Sequence, residues 1–290
     1  MKNILFLAML TLMVSCVGQQ KELDNVFYVF NNGLRDPLNV PEGYEAQAEL
    51  VKKIGYDGIS GHPTQNNMEL RAALEKNELV MPEIYWGLTI TDEGTIEYNK
   101  DIDEVVKSSK QDLLVAFYTG AKKYKHLQEE GDKIIADWLR DFADFAAEYG
   151  VKVAIYPHVN NYCETIEHTL RVVDLVDQEN MGVIFNTCHL LKVEGDEGWE
   201  EKALKALPKL FMVSVNGADA GDHINMGWDK LIQPLGEGSF DVYELVKFFK
   251  DNGYDGPFGL QCYNIKEDCE VALTKSMNTW KEYQERYKNE

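Results

Sequence analysis

Apolar runs of strand length alternate with segments of helical periodicity from about residue 26 to the C-terminus. The runs are VFYVF (26–30), GISG (58–61), LVMPEIY (79–85), LLVAFY (113–118), VKVAIY (151–156), GVIFN (182–186), LFMVSV (210–215) and FGLQCY (258–263), eight in all. Between them lie stretches such as 132–150, where Ile134, Ile135, Trp138, Phe142 and Phe145 recur at the spacing of one helix face. Gly150 ends that segment. One joint occurs twice, as KKIGYDG (52–58) and KDNGYDG (250–256), each closing a helical pattern with glycine and turning at once into a strand.

A repeated βα unit, eight times over residues 26–290, predicts an α/β fold: a single-domain (β/α)8 TIM barrel. The competing architecture is an open doubly wound sheet, but no glycine-rich phosphate loop follows the first strand. Residues 1–15 stand apart from this pattern. Lys2, the apolar stretch ILFLAMLTLMV (4–14) and the small Ser15 before Cys16 read as a lipoprotein signal peptide, with Met13 departing from the usual leucine. Cys16 is the expected lipidation site, 16–25 a polar tether, and plain secretion the alternative. The expected location is therefore outside the cytoplasm, as a periplasmic or outer-membrane-anchored lipoprotein that touches the membrane only through its N-terminal lipid. Cys163, Cys188, Cys262 and Cys269 remain, and Cys262 with Cys269 is the one pair close enough in sequence to staple a loop.

A formal charge of −20, with no dense Lys/Arg cluster, disfavours nucleic acid and anionic lipid as partners. A small carbohydrate is the expected partner, and the scarcity of basic residues near strand ends favours a neutral one. Oligomeric state is not legible. In a barrel the active site forms where strands end, and these ends are unusually polar: Asn31 and Asn32, His62, Glu83 and Tyr85, Tyr118, Tyr156 and His158, Asn186 and His189, Ser214 and Asn216, Gln261 and Tyr263. Three of the six histidines fall there. Each alone reads as a hydrogen-bonded structural residue; three that converge point to proton transfer. Tyr156 and Trp86 either fill the barrel mouth or form a flat platform for a sugar ring, and Glu237 between two glycines either solubilises a loop or faces the ligand. Cys188 reads as a core thiol.

The GYDG joint before the last strand, LGEGSFD (235–241), YPH (156–158) and FNTCH (185–189) together resemble the xylose isomerase-like TIM-barrel superfamily of sugar phosphate isomerases and epimerases. The resemblance implies a divalent ion held by Glu, Asp, His and Glu from strands five to eight. At the matching positions this chain has Tyr156, Asn186, Ser214 and Gln261. A phenol and two amides in place of three carboxylates remove the anionic oxygens a hard cation needs, so no metal and no other cofactor is expected. A displaced ion on His158, His189 and His223 is the alternative. Without the ion, Asn186, Asn216 and Gln261 are expected to bind hydroxyl or enediolate oxygens directly, together with Tyr156, Trp86 and Glu237. His158, His189, His62 and Glu83 are the expected catalytic set. The function expected is isomerisation, epimerisation, or elimination or hydration of a sugar or keto-sugar. Two alternatives are a non-catalytic sugar-binding protein on a degenerate barrel and, more distantly, a nuclease, which would need a metal cluster and a basic face.

Overall fold

The computed structural model describes residues 21–109 and 112–290; the signal-peptide residues and Cys16 lie outside them. The chain alternates strand and helix as β1 (Phe27–Val29), α1 (Tyr44–Ile54), β2 (Gly58–Ile59), α2 (Asn67–Lys76), β3 (Glu83–Ile90), β4 (Ile96–Tyr98), α3 (Asp101–Lys107), β5 (Leu114–Ala121), α4 (Glu129–Ala147), β6 (Lys152–Ile155), α5 (Ile166–Val176) and β7 (Met181–Asn186). It continues through α6 (Thr187–Glu194), α7 (Trp199–Ala206), β8 (Leu210–Val215), α8 (Trp228–Leu231), α9 (Val242–Asp251), β9 (Phe258–Leu260) and α10 (Cys269–Asn289). The strands run in the order β2-β1-β9-β8-β7-β6-β5-β3, all parallel, and isolated bridges from Gly58 to Val80 and Gly61 to Ile84 join the β2 segment back to β3 and the segment that leads into it. That closes the (β/α)8 ring the periodicity predicts.

Two features depart from the expected strands. The third strand is Glu83–Ile90, later than the expected 79–85, because Pro82 has no N–H to continue a ladder and leaves Leu79–Pro82 with a single bridge. Its far end turns at Thr91–Thr95 and returns as β4, which pairs antiparallel with β3, Leu88 opposite Tyr98.

Alternation along each strand sorts side chains between two cores. Outward residues pack under the helices: on β3 these are Ile84, Trp86, Leu88 and Ile90, and on α4 they meet Ile135, Leu139 and Phe142. Inward residues fill the lumen, among them Tyr28, Phe30, Ala116, Tyr156, Ile184 and Met212. The repeated joint is a repeated structure. Gly55 (φ 110°) and Gly253 (φ 83°) take the positive φ that ends α1 and α9. The tyrosine after each is buried with its hydroxyl on a carbonyl, Tyr56 on Leu273 (2.8 Å) and Tyr254 on Pro257 (2.7 Å). Cys163, Cys188, Cys262 and Cys269 are free buried thiols, so the possible Cys262–Cys269 staple is not formed.

Candidate active site

A cavity of ≈ 480 Å³ opens at the C-terminal ends of the strands. It is lined by His62, His158, His189, Tyr85, Tyr156 and Gln261, with Trp228, Tyr263 and Arg35 towards its rim. The three strand-end histidines, far apart in sequence, thus share one bowl.

Each is held by a specific local structure. After β6 the chain makes a tight loop in which His158 N–H donates to the Cys163 carbonyl (3.1 Å) and Tyr162 N–H to Thr119 O on β5 (2.7 Å). His158 Nδ1 lies 2.8 Å from the Val159 carbonyl. A carbonyl only accepts, so Nδ1 carries the proton and Nε2 keeps its lone pair. His62 is the reverse: its Nδ1 accepts from Thr64 N–H (3.2 Å), with the Thr64 hydroxyl at 2.8 Å, and its Nε2 carries the proton. Burial lowers the pKa of both rings, and for His62, aided by the Arg35 charge, it falls to about 4. His189 is driven well below the usual histidine range by burial and by His158, whose ring centroid is 3.9 Å away. All three are neutral at pH 7.

β7 runs directly into α6 because Asn186 is a helix N-cap, its Oδ1 accepting from His189 N–H (3.2 Å) and from the Cys188 thiol (3.2 Å). That seats His189 on the first turn, between His158, Tyr156 and the Trp228 edge. Tyr156 is buried, and its hydroxyl accepts from Gln261 Nε2 (3.3 Å), while Gln261 Oε1 accepts from Asn32 Nδ2 and from Tyr263 N–H (3.0 Å). Tyr85 stacks on Tyr118 with centroids 4.6 Å apart and forms the aromatic wall.

The positions that the resemblance equates with metal ligands do not suit a hard cation. Asn186 Oδ1 and Gln261 Oε1 are each taken by two donors, and the unpartnered buried atoms left there are the Asn186 Nδ2 amide and the Ser214 hydroxyl. These amide protons suit an oxygen acceptor and repel a cation. Nor does the displaced trio assemble. His223 is buried against Phe240, its Nδ1 3.6 Å from Asp196, and does not line the cavity. Among the described residues, no group of three or more His, Cys, Asp or Glu side chains stands close enough to hold an ion.

Five other expected site residues do not line the cavity: Asn186, the α6 cap described above, and Trp86, Glu237, Asn216 and Glu83. Trp86 points outward, 1 % exposed, with its indole N–H on the Asn99 carbonyl (2.9 Å); its neighbour Tyr85 faces the bowl instead. Glu237 is on the surface with Lys275 (2.9 Å). Asn216 Nδ2 donates to Gly217 O (2.8 Å) and Leu231 O (2.7 Å), tying down the loop after β8. Glu83 sits in the lumen without lining the cavity, and neither carboxylate oxygen has a hydrogen-bond partner. Burial pushes its pKa up to about 8; the Ser60 and Tyr28 hydroxyls, near it but outside hydrogen-bond geometry, pull the other way. The sequence reading missed Arg35, which follows the 3-10 turn Asn31–Leu34 rather than ending a strand, and Trp228, carried in by the short α8.

The sequence profile described as xylose isomerase-like TIM barrel matches residues 48–286. Among curated proteins, the chain is 27% identical over 135 residues to 3-dehydroshikimate dehydratase of Pseudomonas aeruginosa, covering 45% of this chain and 21% of that one. It is 22% identical over 140 residues to inosose dehydratase of Clostridium perfringens, covering 45% and 46%. The chain matches less than half the length of either relative. Among solved structures, the IOLI protein with a bound zinc atom superposes with a TM-score of 0.69 at 16% identity, over 90% of this chain and 98% of that one.

Proposed function

Because this chain belongs to the xylose isomerase-like TIM-barrel family, we propose that its cavity moves protons next to a carbonyl of a sugar or keto-sugar without the family's ion. The observation that carries this reading is the opposed tautomers of His158 and His62 on one cavity. His158 offers a lone pair at Nε2, and so serves as the base that takes a proton from the carbon beside the carbonyl. His62 offers an N–H at Nε2, and a neutral imidazole donor stabilises the oxygen on which charge develops. His189 packs on His158 with ring centroids 3.9 Å apart, and burial keeps His158 neutral. The Tyr85 and Tyr118 stack supplies a flat apolar face for the ring, and Tyr156 with Gln261 supplies hydroxyl partners. A substrate ketone acidifies the neighbouring C–H, which lessens what an ion would have to contribute. Isomerisation, epimerisation and elimination all begin with this step, and the names of the two curated relatives favour elimination.

The test is turnover across aldoses, ketoses and keto-glycosides. His158→Gln is expected to lower kcat by about 100-fold or more while ligand binding is kept. Metal analysis accompanies it, and one stoichiometric divalent ion in active protein would reject the metal-free route. The second reading, a sugar-binding protein, is favoured by the replacement of all four ligand positions; it holds if the unaltered protein binds sugars and turns none over. The chain is proposed to act outside the cytoplasm, anchored through Cys16. Cys16→Ala is then expected to move the protein from the membrane fraction to the soluble one, and an unchanged distribution would remove the anchor.

A further inference from the structure

The cavity is electrostatically unlike the rest of the molecule. The chain carries 49 acidic and 29 basic residues, yet among the described residues no Asp or Glu lines the bowl, whose basic side chains are Arg35 and the three histidines. Arg35 is built in. Its Nε donates to Asp36 Oδ1 (2.9 Å) and its Nη1 to Asn31 Oδ1 (3.4 Å), while Asp36 Oδ2 is fixed by Asn264 N–H (3.0 Å) in the loop after β9. The loop after β9, through Asp36, and Asn31 therefore hold Nε and Nη1, and among the described residues Nη2 has no partner. The side chain is half exposed, and its charge reaches His62 across the rim.

Arg35 is already paired with Asp36, yet it lines a bowl that holds no Asp or Glu among the described residues, and its Nη2 keeps N–H groups for a second carboxylate. We propose that Arg35 is a specificity residue and that the substrate class is an acidic sugar, a hexuronate or its keto form, rather than a neutral one. This rests on the sugar-enzyme reading above. It places the carboxylate beside His62, with the sugar ring against Tyr85 and the reacting carbon towards His158.

The test is a calorimetric titration of the purified chain with hexuronates and with their methyl esters, which keep shape and lose charge. The acids are expected to bind at least about 10-fold more tightly than the esters. Arg35→Gln is expected to bring that ratio to about one, Arg35→Lys to retain part of it, and His158→Gln to leave it intact. Equal binding of acid and ester, or esters or neutral sugars binding more tightly, overturns the acidic class and leaves the sugar-enzyme reading standing. A preference for acids that survives Arg35→Gln overturns the role of Arg35. Binding of no sugar in either form overturns the underlying reading as well.

Discussion

Glu83 is a carboxyl group fully enclosed in the lumen with no hydrogen-bond partner, and its pKa of about 8 keeps it protonated at neutral pH. In the unfolded chain it ionises near 4.5, so the folded state binds the extra proton between the two values and stability falls as pH rises through that window. His62 has the opposite sign. Its folded pKa of about 4 lies below the ordinary 6.5, so its contribution is complete above 6.5 and lost as pH falls towards 4. Glu83→Gln is therefore expected to raise Tm above pH 8 by on the order of several degrees, with little effect at pH 4.5, as read by thermal melts across pH. The lowered pKa of His158 predicts that kcat/KM stays level through neutral pH and declines only below the usual histidine range. A pH profile with its acid limb at or above 7 would remove His158 as the base. The histidines were legible because a polar group at the end of an apolar run stands out. Trp86 was misplaced by one residue: Glu83 and Tyr85 share a face, so parity alone puts Trp86 on the other.

At the scale of elements, seven of the eight barrel strands lie where apolar runs predict them to within three residues at either end. The third does not, since periodicity cannot register a proline that stops pairing, and Thr91–Thr95 hides a hairpin turn between residues of mixed polarity. That longer strand matters for the site because Gly87 lies opposite Tyr118. A Cβ at Gly87 would come within 2.5 Å of the Tyr118 ring, and Tyr118 supports Tyr85. Gly87→Ala is expected to cost about 1–3 kcal/mol of stability and to weaken ligand binding by displacing the aromatic wall. Chemical denaturation with a parallel binding titration checks both. Unchanged affinity in a folded variant would show that the wall does not contact the ligand.

At the scale of the whole molecule, eight sequential units and two GYDG joints made ring closure legible, because each βα unit can bury its apolar face only against its neighbours. What the ring assembles was less legible. Arg35 enters from a turn and Trp228 from a four-residue helix, and neither carries a periodic signal. The absence of acidic side chains from the bowl is a property of which residues turn inward, and composition averages it away.

The ring is not equally knit all round. β2 is two residues long and meets β3 only through isolated bridges, whereas β3 and β5 are paired along eight residues. Four backbone hydrogen bonds cross this seam, from Ile59 N–H to Val80 O, Val80 N–H to Asp57 O, Gly61 N–H to Glu83 O and Tyr85 N–H to Gly61 O, and its amides exchange with solvent only once these open. His62 directly follows Gly61, the second bridging glycine, so the proposed donor sits at this seam. A ligand gripping His62 and His158 together would stitch that seam shut, and slower deuterium uptake at 58–62 on sugar binding would be its signature.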